Sequence, residues 1–218
     1  KSEVAILKAI KSFSPELIGI GCMFVGQFAS VIEYSKVIKN EFPQIKIVIG
    51  GMHPTLFYKK ILENCGTIDF IVIGEGETAL FNLINYMEGI TSIESIPSFA
   101  YRDENKQVIL NQHKEIVDLH MVSFPDYSFI DISDYYHEET KRWYNPRHLS
   151  INATIPILTS RGCPFGCNFC CLYKIMGRKM RYRHPQVVVN EIEFLYSHYG
   201  HRHFSFFDDN LVINKKHI

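Results

Sequence analysis

The sequence of 218 residues has no excess of charge of either sign and no long apolar run. Its 23 basic and 23 acidic residues give a formal net charge of zero, so no electrostatic argument favours nucleic acid or an anionic membrane as a partner. No apolar run reaches the roughly 18 residues that predict a membrane-spanning helix. Internal repeats and low-complexity tracts are also lacking, and the 46% apolar content is typical of a folded protein with a core.

The sequence also lacks the pattern of a secretory signal peptide, so we expect a cytoplasmic protein without a disulfide framework. Two of its six cysteines, Cys22 and Cys65, are expected to be ordinary buried thiols. The first 13 residues have the pattern of a helix already under way, and residues 214–218 follow a strand without a closing element. We therefore expect a fragment of a longer protein.

Strand and helix patterns alternate through the first 92 residues. Apolar runs at 17–22, 45–49 and 68–73 predict strands, and helical periodicity follows each run, at 28–40, 54–64 and 77–88. Continuous apolar strands that alternate with helices indicate a parallel sheet covered on both faces, which is an α/β fold of the flavodoxin-like (Rossmann-type) kind. Ligands of such sheets bind beyond the carboxyl ends of the strands.

Three loops are predicted at those carboxyl ends, and glycine in them would let a ligand approach the backbone closely. The first loop is Gly21-Cys22-Met23-Phe24, and the other two give the predicted contacts Gly50, Gly51, His53, Pro54, Thr55, Gly74, Glu75, Gly76 and Glu77. The last loop also fits the dinucleotide pattern Gly-x-Gly-x-x-Ala. That pattern belongs to the first strand of its unit, however, and Glu75 and Glu77 would repel a pyrophosphate.

Three cysteines, Cys163, Cys167 and Cys170, follow the spacing Cys-x3-Cys-x2-Cys. Three thiolates on one loop can hold three corners of a cubane iron–sulfur cluster and leave the fourth iron open for substrate chemistry. A structural zinc site would instead use two ligand pairs with a longer spacer between them. The adjacent Cys171 cannot easily join Cys170 on one tetrahedral ion, which argues further against zinc.

The C-terminal third has the pattern of an opening βα barrel. A strand at 155–159 leads into the cysteine loop, a helix begins at Pro185, and a strand at 203–207 ends in the adjacent residues Asp208 and Asp209. Catalytic groups of such barrels lie at the carboxyl ends of strands. From the residues alone, the two carboxylates either cap a helix, face solvent or contact a ligand. Between the two parts, residues 96–111 predict a hairpin.

The run Thr-Ser-Arg-Gly-Cys-Pro at 159–164, with Phe169 before the last cysteine, resembles the cluster motif of the radical S-adenosylmethionine enzymes. The resemblance implies a 4Fe-4S cluster on Cys163, Cys167 and Cys170, with Cys171 not a ligand. It implies S-adenosylmethionine at the open iron, near Phe169, Asp208 and Asp209. Reductive cleavage to a 5′-deoxyadenosyl radical would follow, with a flavodoxin-type or ferredoxin-type protein as reductant.

The runs Gly-Gly-x-His-Pro-Thr at 50–55 and Gly-Glu-Gly-Glu at 74–77 resemble the cobalamin-binding domain that precedes many radical S-adenosylmethionine cores. This resemblance covers roughly residues 2–90 and implies that the two loops contact cobalamin. His53 is then expected to order its loop or contact the nucleotide tail. A cobalt-binding histidine loop would precede Lys1, and His120, in a partial match to that motif, is expected to be an ordinary linker residue.

Together the resemblances divide the chain into a cobalamin-binding domain (1–92), a hairpin and linker (93–150) and the start of a partial TIM-type barrel (151–218). They imply a cobalamin-dependent radical S-adenosylmethionine enzyme, most simply a methyltransferase acting on an unactivated carbon of a small-molecule or peptide substrate. One alternative is a radical methylthiotransferase, which needs three further cysteines in its first domain. Another is a non-catalytic cobalamin-binding or sensing module, which needs no open iron.

Overall fold

The computed structural model describes residues 3–111, 117–130 and 154–213. The chain forms two compact units, the first made of Lys1–Val117 with Cys167–Gly177 and the second of Asp118–Gly166 with Arg178–Ile218. Most of the predicted linker and the predicted interrupted C-terminal end lie outside the described residues. Within the described ranges, no helix combines the length and the apolar character needed to cross a membrane.

The first unit is built on a five-stranded sheet flanked by helices. In chain order its elements are α1 (Glu3–Phe13), β1 (Leu17–Gly21), α2 (Val25–Glu41), β2 (Lys46–Gly50), α3 (Met52–Asn64), β3 (Phe70–Val72), α4 (Glu77–Met87), β4 (Phe99–Arg102), β5 (Val108–Asn111) and α5 (Leu172–Met176). Strands β1, β2 and β3 are parallel neighbours, which confirms the predicted α/β sheet. The predicted hairpin is also present, but its strands β4 and β5 extend this same sheet in antiparallel pairing, so the sheet is mixed.

The central strands are buried on both faces of the sheet. Ile47 and Ile49 of β2 pack into one apolar cluster, and Val48 between them packs into the other. Each of these side chains is at most 2% exposed, and burial of one aliphatic side chain contributes about 1.5–3 kcal/mol. A strand packed from both sides cannot shift without breaking both clusters. The loops at its carboxyl end are therefore carried on a rigid platform.

The second unit contains a strand–helix–strand motif and a short antiparallel pair of strands. Its elements are β6 (Ile155–Ile157), β7 (Ser160–Arg161), β8 (Arg181–Tyr182), α6 (Pro185–Tyr199) and β9 (Phe204–Phe206). Strands β6 and β9 are parallel, as the predicted opening of a barrel requires. The imidazole Nδ1 of His184 accepts a hydrogen bond from the Gln186 backbone at the start of α6, and Gly200 ends the helix with φ of 70°.

Candidate functional site

The loops after β1, β2 and β3 are joined by hydrogen bonds at one edge of the sheet. The Cys22 backbone N–H donates to the Gly50 carbonyl over 2.8 Å, and the His53 N–H donates to the Cys22 carbonyl over 3.3 Å. The Gly74 N–H donates to the Thr55 hydroxyl oxygen over 2.9 Å. The structure therefore brings the two predicted glycine loops together with the loop after β1, at the edge where parallel sheets bind ligands.

Gly51 is required by the geometry of this edge. Its φ of 105° lies in the region that favours glycine, and its ψ is −171°. A Cβ at this position would lie 2.7 Å from the Cys22 carbonyl oxygen, which no side chain could tolerate without a backbone shift. The second loop therefore crosses the first at a distance that only glycine allows.

Thr55 and Pro54 form the buried foot of the second loop. Pro54 is fully buried and Thr55 is 8% exposed, in the first turn of α3. Because the Thr55 hydroxyl accepts from the Gly74 N–H, it fixes the start of the third loop relative to the second. Thr55 thus connects the second loop to the third by a hydrogen bond.

His53 packs against two aromatic rings. Its imidazole centroid lies 4.5 Å from that of Phe28 and 4.9 Å from that of Phe57. Burial lowers the pKa of His53 below its ordinary value, so the neutral imidazole is favoured. Contacts of the imidazole with two rings restrain the loop, which supports the predicted loop-ordering role.

Exposed apolar side chains form a rim beside Gly51. Met23 is 48% exposed and Phe24 is 70% exposed, although both lie at the carboxyl end of a core strand. The backbone N–H groups of Met23 and Phe24 donate to the Gln27 side-chain oxygen over 2.9 and 3.1 Å, which fixes this loop at the start of α2. Glycine backbone and an apolar rim suit a large, flat ligand with polar edges.

Glu75 and Glu77 lie at the start of α4. Glu77 is the first residue of that helix, where its charge is favourable with the helix dipole, and Gly76 directly precedes it. Glu77 is exposed and Glu75 is half-buried. A negative third loop is compatible with hydrogen-bond donors of a ligand and unfavourable for a phosphate-rich dinucleotide, as predicted.

Two of the three predicted cluster cysteines belong to the first unit. Cys167 is exposed, Cys170 is half-buried, and the Cys170 N–H donates to the Cys167 carbonyl over 3.2 Å. The Cys171 sulfur lies 2.9 Å from the Met52 sulfur in α3, a contact that supports its predicted exclusion from the ligand set. Phe169 projects into solvent with 88% of its surface exposed.

The remaining cysteine, Cys163, belongs to the second unit and follows β7. Strand β7 pairs antiparallel with β8, a pairing that the sequence did not predict. Gly162 has φ of 99°, and a Cβ there would collide with the Lys179 carbonyl oxygen. The side-chain N–H of Asn210 donates to the Cys163 sulfur over 3.1 Å. Sequence reasoning missed Asn210, although it directly follows the predicted Asp208-Asp209 pair.

The two adjacent carboxylates have different surroundings. Asp208 accepts hydrogen bonds from the Thr159 N–H at 3.1 Å, from the Thr159 hydroxyl at 2.9 Å, and from the Ser160 hydroxyl. It thus neither caps a helix nor simply faces solvent, but joins the ends of two strands. Asp209 is exposed, and its pKa is raised by partial burial and by the neighbouring Asp208 charge.

The cysteines have the donor chemistry that an iron–sulfur cluster requires. All six are free thiols, and the three in the motif are at least partly accessible. Across residues 3–111, 117–130 and 154–213, no group of three His, Cys, Asp or Glu side chains is arranged to hold a metal ion. The ligand set Cys163, Cys167 and Cys170 stays a prediction.

Comparison with known proteins identifies the first unit. The family model described as "B12 binding domain" matches residues 2–84, which contain both glycine loops. The chain is 33% identical over 187 residues to an anaerobic magnesium-protoporphyrin IX monomethyl ester cyclase of Cereibacter sphaeroides, covering 84% of this chain and 29% of the relative. It is 26% identical over 211 residues to an uncharacterized methyltransferase of Pyrococcus horikoshii, covering 97% of this chain and 43% of the relative.

The fold is shared with solved structures. The cobalamin-dependent S-adenosylmethionine radical enzyme OxsB, with aqua-cobalamin and S-adenosylmethionine bound, matches 95% of this chain with a TM-score of 0.77 at 20% identity. The match covers 27% of that chain. This chain thus spans less than half the length of the relatives it matches. The predicted fold class is confirmed over both units.

Proposed function

Because the chain belongs to the radical S-adenosylmethionine enzymes that carry a B12-binding domain, we propose that it forms the cofactor-binding part of a cobalamin-dependent enzyme. The observation that carries the proposal is the joining of the two glycine loops at one sheet edge, within residues matched by the B12-binding model. When bound, the cluster would supply the electron that cleaves S-adenosylmethionine, and cobalamin would supply a transferable methyl group.

The proposed role of the first unit is to bind and orient the corrinoid. Gly50 and Gly51 bring the backbone to the ligand without side-chain obstruction, and Gly74 to Glu77 supply the second wall. His53 is proposed to order its loop, because its ring packs against Phe28 and Phe57. Thr55 holds the two loops at a fixed separation through Gly74, so little reorganisation accompanies binding.

The cysteine loop would hold the 4Fe-4S cluster through Cys163, Cys167 and Cys170, which would leave one iron open for S-adenosylmethionine. We propose that Phe169 and Asp209 contact S-adenosylmethionine, because both side chains are exposed. The carboxylate of Asp208 is engaged by Thr159 and Ser160. We propose that Asp208 shapes this site through those bonds.

The reaction proposed is methyl transfer to an unactivated carbon of a small-molecule or peptide substrate, with a flavodoxin-type or ferredoxin-type reductant. The relative from Pyrococcus horikoshii is named a methyltransferase, which supports this class. The relative from Cereibacter sphaeroides is named a cyclase, so other radical chemistry is the competing outcome. We also propose a cytoplasmic location. The neutral charge of the sequence gives no electrostatic reason to expect nucleic acid or a membrane as a partner.

A methylthiotransferase would require a second set of cysteines in the first domain. Outside the cluster motif, only Cys22 and Cys65 are available there. Cys22 is fully buried, and burial raises the pKa of its thiol, which disfavours the thiolate that binds metal. These observations favour cobalamin in the first unit over a second cluster.

The experiment that tests this function compares two cysteine variants of the full-length protein after anaerobic reconstitution with iron, sulfide and hydroxocobalamin. We expect Cys163→Ala to lose iron and S-adenosylmethionine cleavage while keeping corrinoid. The matched control, Cys65→Ala, changes a half-buried thiol outside the motif and should keep both cofactors. Full cleavage of S-adenosylmethionine by Cys163→Ala would refute the assignment of Cys163 to the cluster, and an unaltered protein that binds corrinoid but no iron would favour a sensing module.

A further inference from the structure

An amide side chain from the end of β9 contacts the first cysteine of the motif. The Asn210 side-chain N–H lies 3.1 Å from the Cys163 sulfur, although the two residues are 47 positions apart in sequence. Both residues are half-buried, so the hydrogen bond is partly shielded from water. Neither residue belongs to the paired strands or to the apolar cluster of the second unit, which makes the contact a candidate for function.

Asn210 is placed by the anchored residue that lies two positions before it. Asp208 accepts hydrogen bonds from the Thr159 backbone and hydroxyl at 3.1 and 2.9 Å, and also from Ser160. The Phe207 N–H continues the pairing by donating to the Ile157 carbonyl over 2.9 Å. The chain after β9 is therefore fixed on the segment that leads into the cysteine loop.

Cys163 is held from its own side as well. Strand β7 precedes it and pairs with β8, and Gly162 packs so closely on Lys179 that a Cβ would collide with the carbonyl oxygen. The Arg183 N–H also donates to the Thr159 carbonyl over 2.8 Å. Since donor and acceptor are both carried on fixed backbone, their hydrogen bond forms with little loss of conformational freedom.

A donor at this sulfur has a defined chemical consequence. Cysteine binds iron as a thiolate, and an N–H group donating to the sulfur stabilises its negative charge. Hydrogen bonds to the sulfurs are among the factors that set the reduction potential of an iron–sulfur cluster. Because reduction adds negative charge, the donor stabilises the reduced cluster more than the oxidised one.

We propose that Asn210 is a positioning residue for the Cys163 ligand and that its amide raises the reduction potential of the cluster. The inference rests on the proposed function, since it requires Cys163 to bind iron. The preceding Asp208 and Asp209 carry carboxylates that would disfavour reduction at short range. The residue that contacts the Cys163 sulfur is the uncharged Asn210, which directly follows these two acidic residues.

The test uses the full-length protein with its cluster reconstituted and no S-adenosylmethionine added. Asn210→Leu removes the donor at similar size, and Asn210→Asp keeps the shape but replaces the donor with a negative charge. The control is Asn190→Leu, because Asn190 is exposed on α6 and bonds only to Gln186 in the contacts described. Iron and sulfide per chain are measured first, followed by a redox titration monitored by electron paramagnetic resonance.

We expect Asn210→Leu to keep its iron and to show a ratio of reduced to oxidised cluster about tenfold lower at a fixed potential, which corresponds to a reduction potential about 59 mV lower for a one-electron couple. Asn210→Asp should shift further in the same direction, and Asn190→Leu should match the unaltered protein. Equal potentials in all four proteins would overturn the inference while leaving the proposed function intact. If the Leu variant fails to fold, the Asp variant decides, and an unaltered protein that binds no iron overturns both proposals.

Discussion

Replacement of Gly51 by alanine tests whether the proposed cobalamin-binding loops of the first unit depend on the close crossing of the loops after β1 and β2. With φ of 105° and ψ of −171°, the backbone lies in a region that costs a residue with a side chain about 1–3 kcal/mol. The added Cβ would also lie 2.7 Å from the Cys22 carbonyl oxygen, which accepts the His53 N–H. Weakening that hydrogen bond costs about 0.5–1.5 kcal/mol more. We therefore expect a loss of about 1.5–4.5 kcal/mol in the free energy of unfolding.

The assay is urea denaturation followed by circular dichroism, paired with a spectrophotometric titration of hydroxocobalamin. Gly26→Ala is the matched control, since Gly26 lies in the first turn of α2 and its added methyl would meet nothing within 4 Å. That control should be neutral or slightly stabilising. A Gly51→Ala protein within about 0.5 kcal/mol of the unaltered one, with unchanged corrinoid affinity, would refute the reasoning.

Three further predictions concern single side chains. Thr55→Val leaves the Gly74 N–H without its acceptor and should cost about 1–3 kcal/mol in urea denaturation; an unchanged midpoint would contradict this. Burial lowers the pKa of His53 below 6.5, so the unfolded chain binds a proton that the folded chain does not, and stability should fall as pH drops below 6.5. An imidazole NMR titration midpoint below 6.5, and a flatter pH profile in His53→Gln, check this. Asp208→Ala removes the acceptor of Thr159 and should cost at least about 1.5 kcal/mol and reduce iron per chain, whereas full iron content would count against its anchoring part.

The elements that could be predicted from sequence are those with long, uniform patterns. The continuous apolar run of β2 and the capped, periodic helix α6 each carry enough residues to fix both type and position. The glycine loops were also predictable, because Gly51 and Gly74 stand where strands end and both adopt positive φ. Because β1, β2 and β3 are parallel, the loops that follow them lie at the same end of the sheet.

Short elements and tertiary hydrogen bonds could not be predicted. Strands β7 and β8 have two residues each and α5 has five, which is too short for any periodicity to be recognised. The addition of the β4–β5 hairpin to the sheet depends on pairing with β3, which alternation within the hairpin does not reveal. Asp208 and Asn210 contact residues 47 to 49 positions earlier in the chain, so their roles can be recognised only in the folded structure.

The most direct measurement of the central claim is a count of cofactors in the full-length protein after anaerobic reconstitution with iron, sulfide and hydroxocobalamin. Iron, acid-labile sulfide and corrinoid are determined per chain, with ultraviolet–visible spectra of the same sample. We predict about four irons and one corrinoid per chain. Iron without corrinoid would contradict cobalamin binding, and corrinoid without iron would contradict the assignment as a radical enzyme.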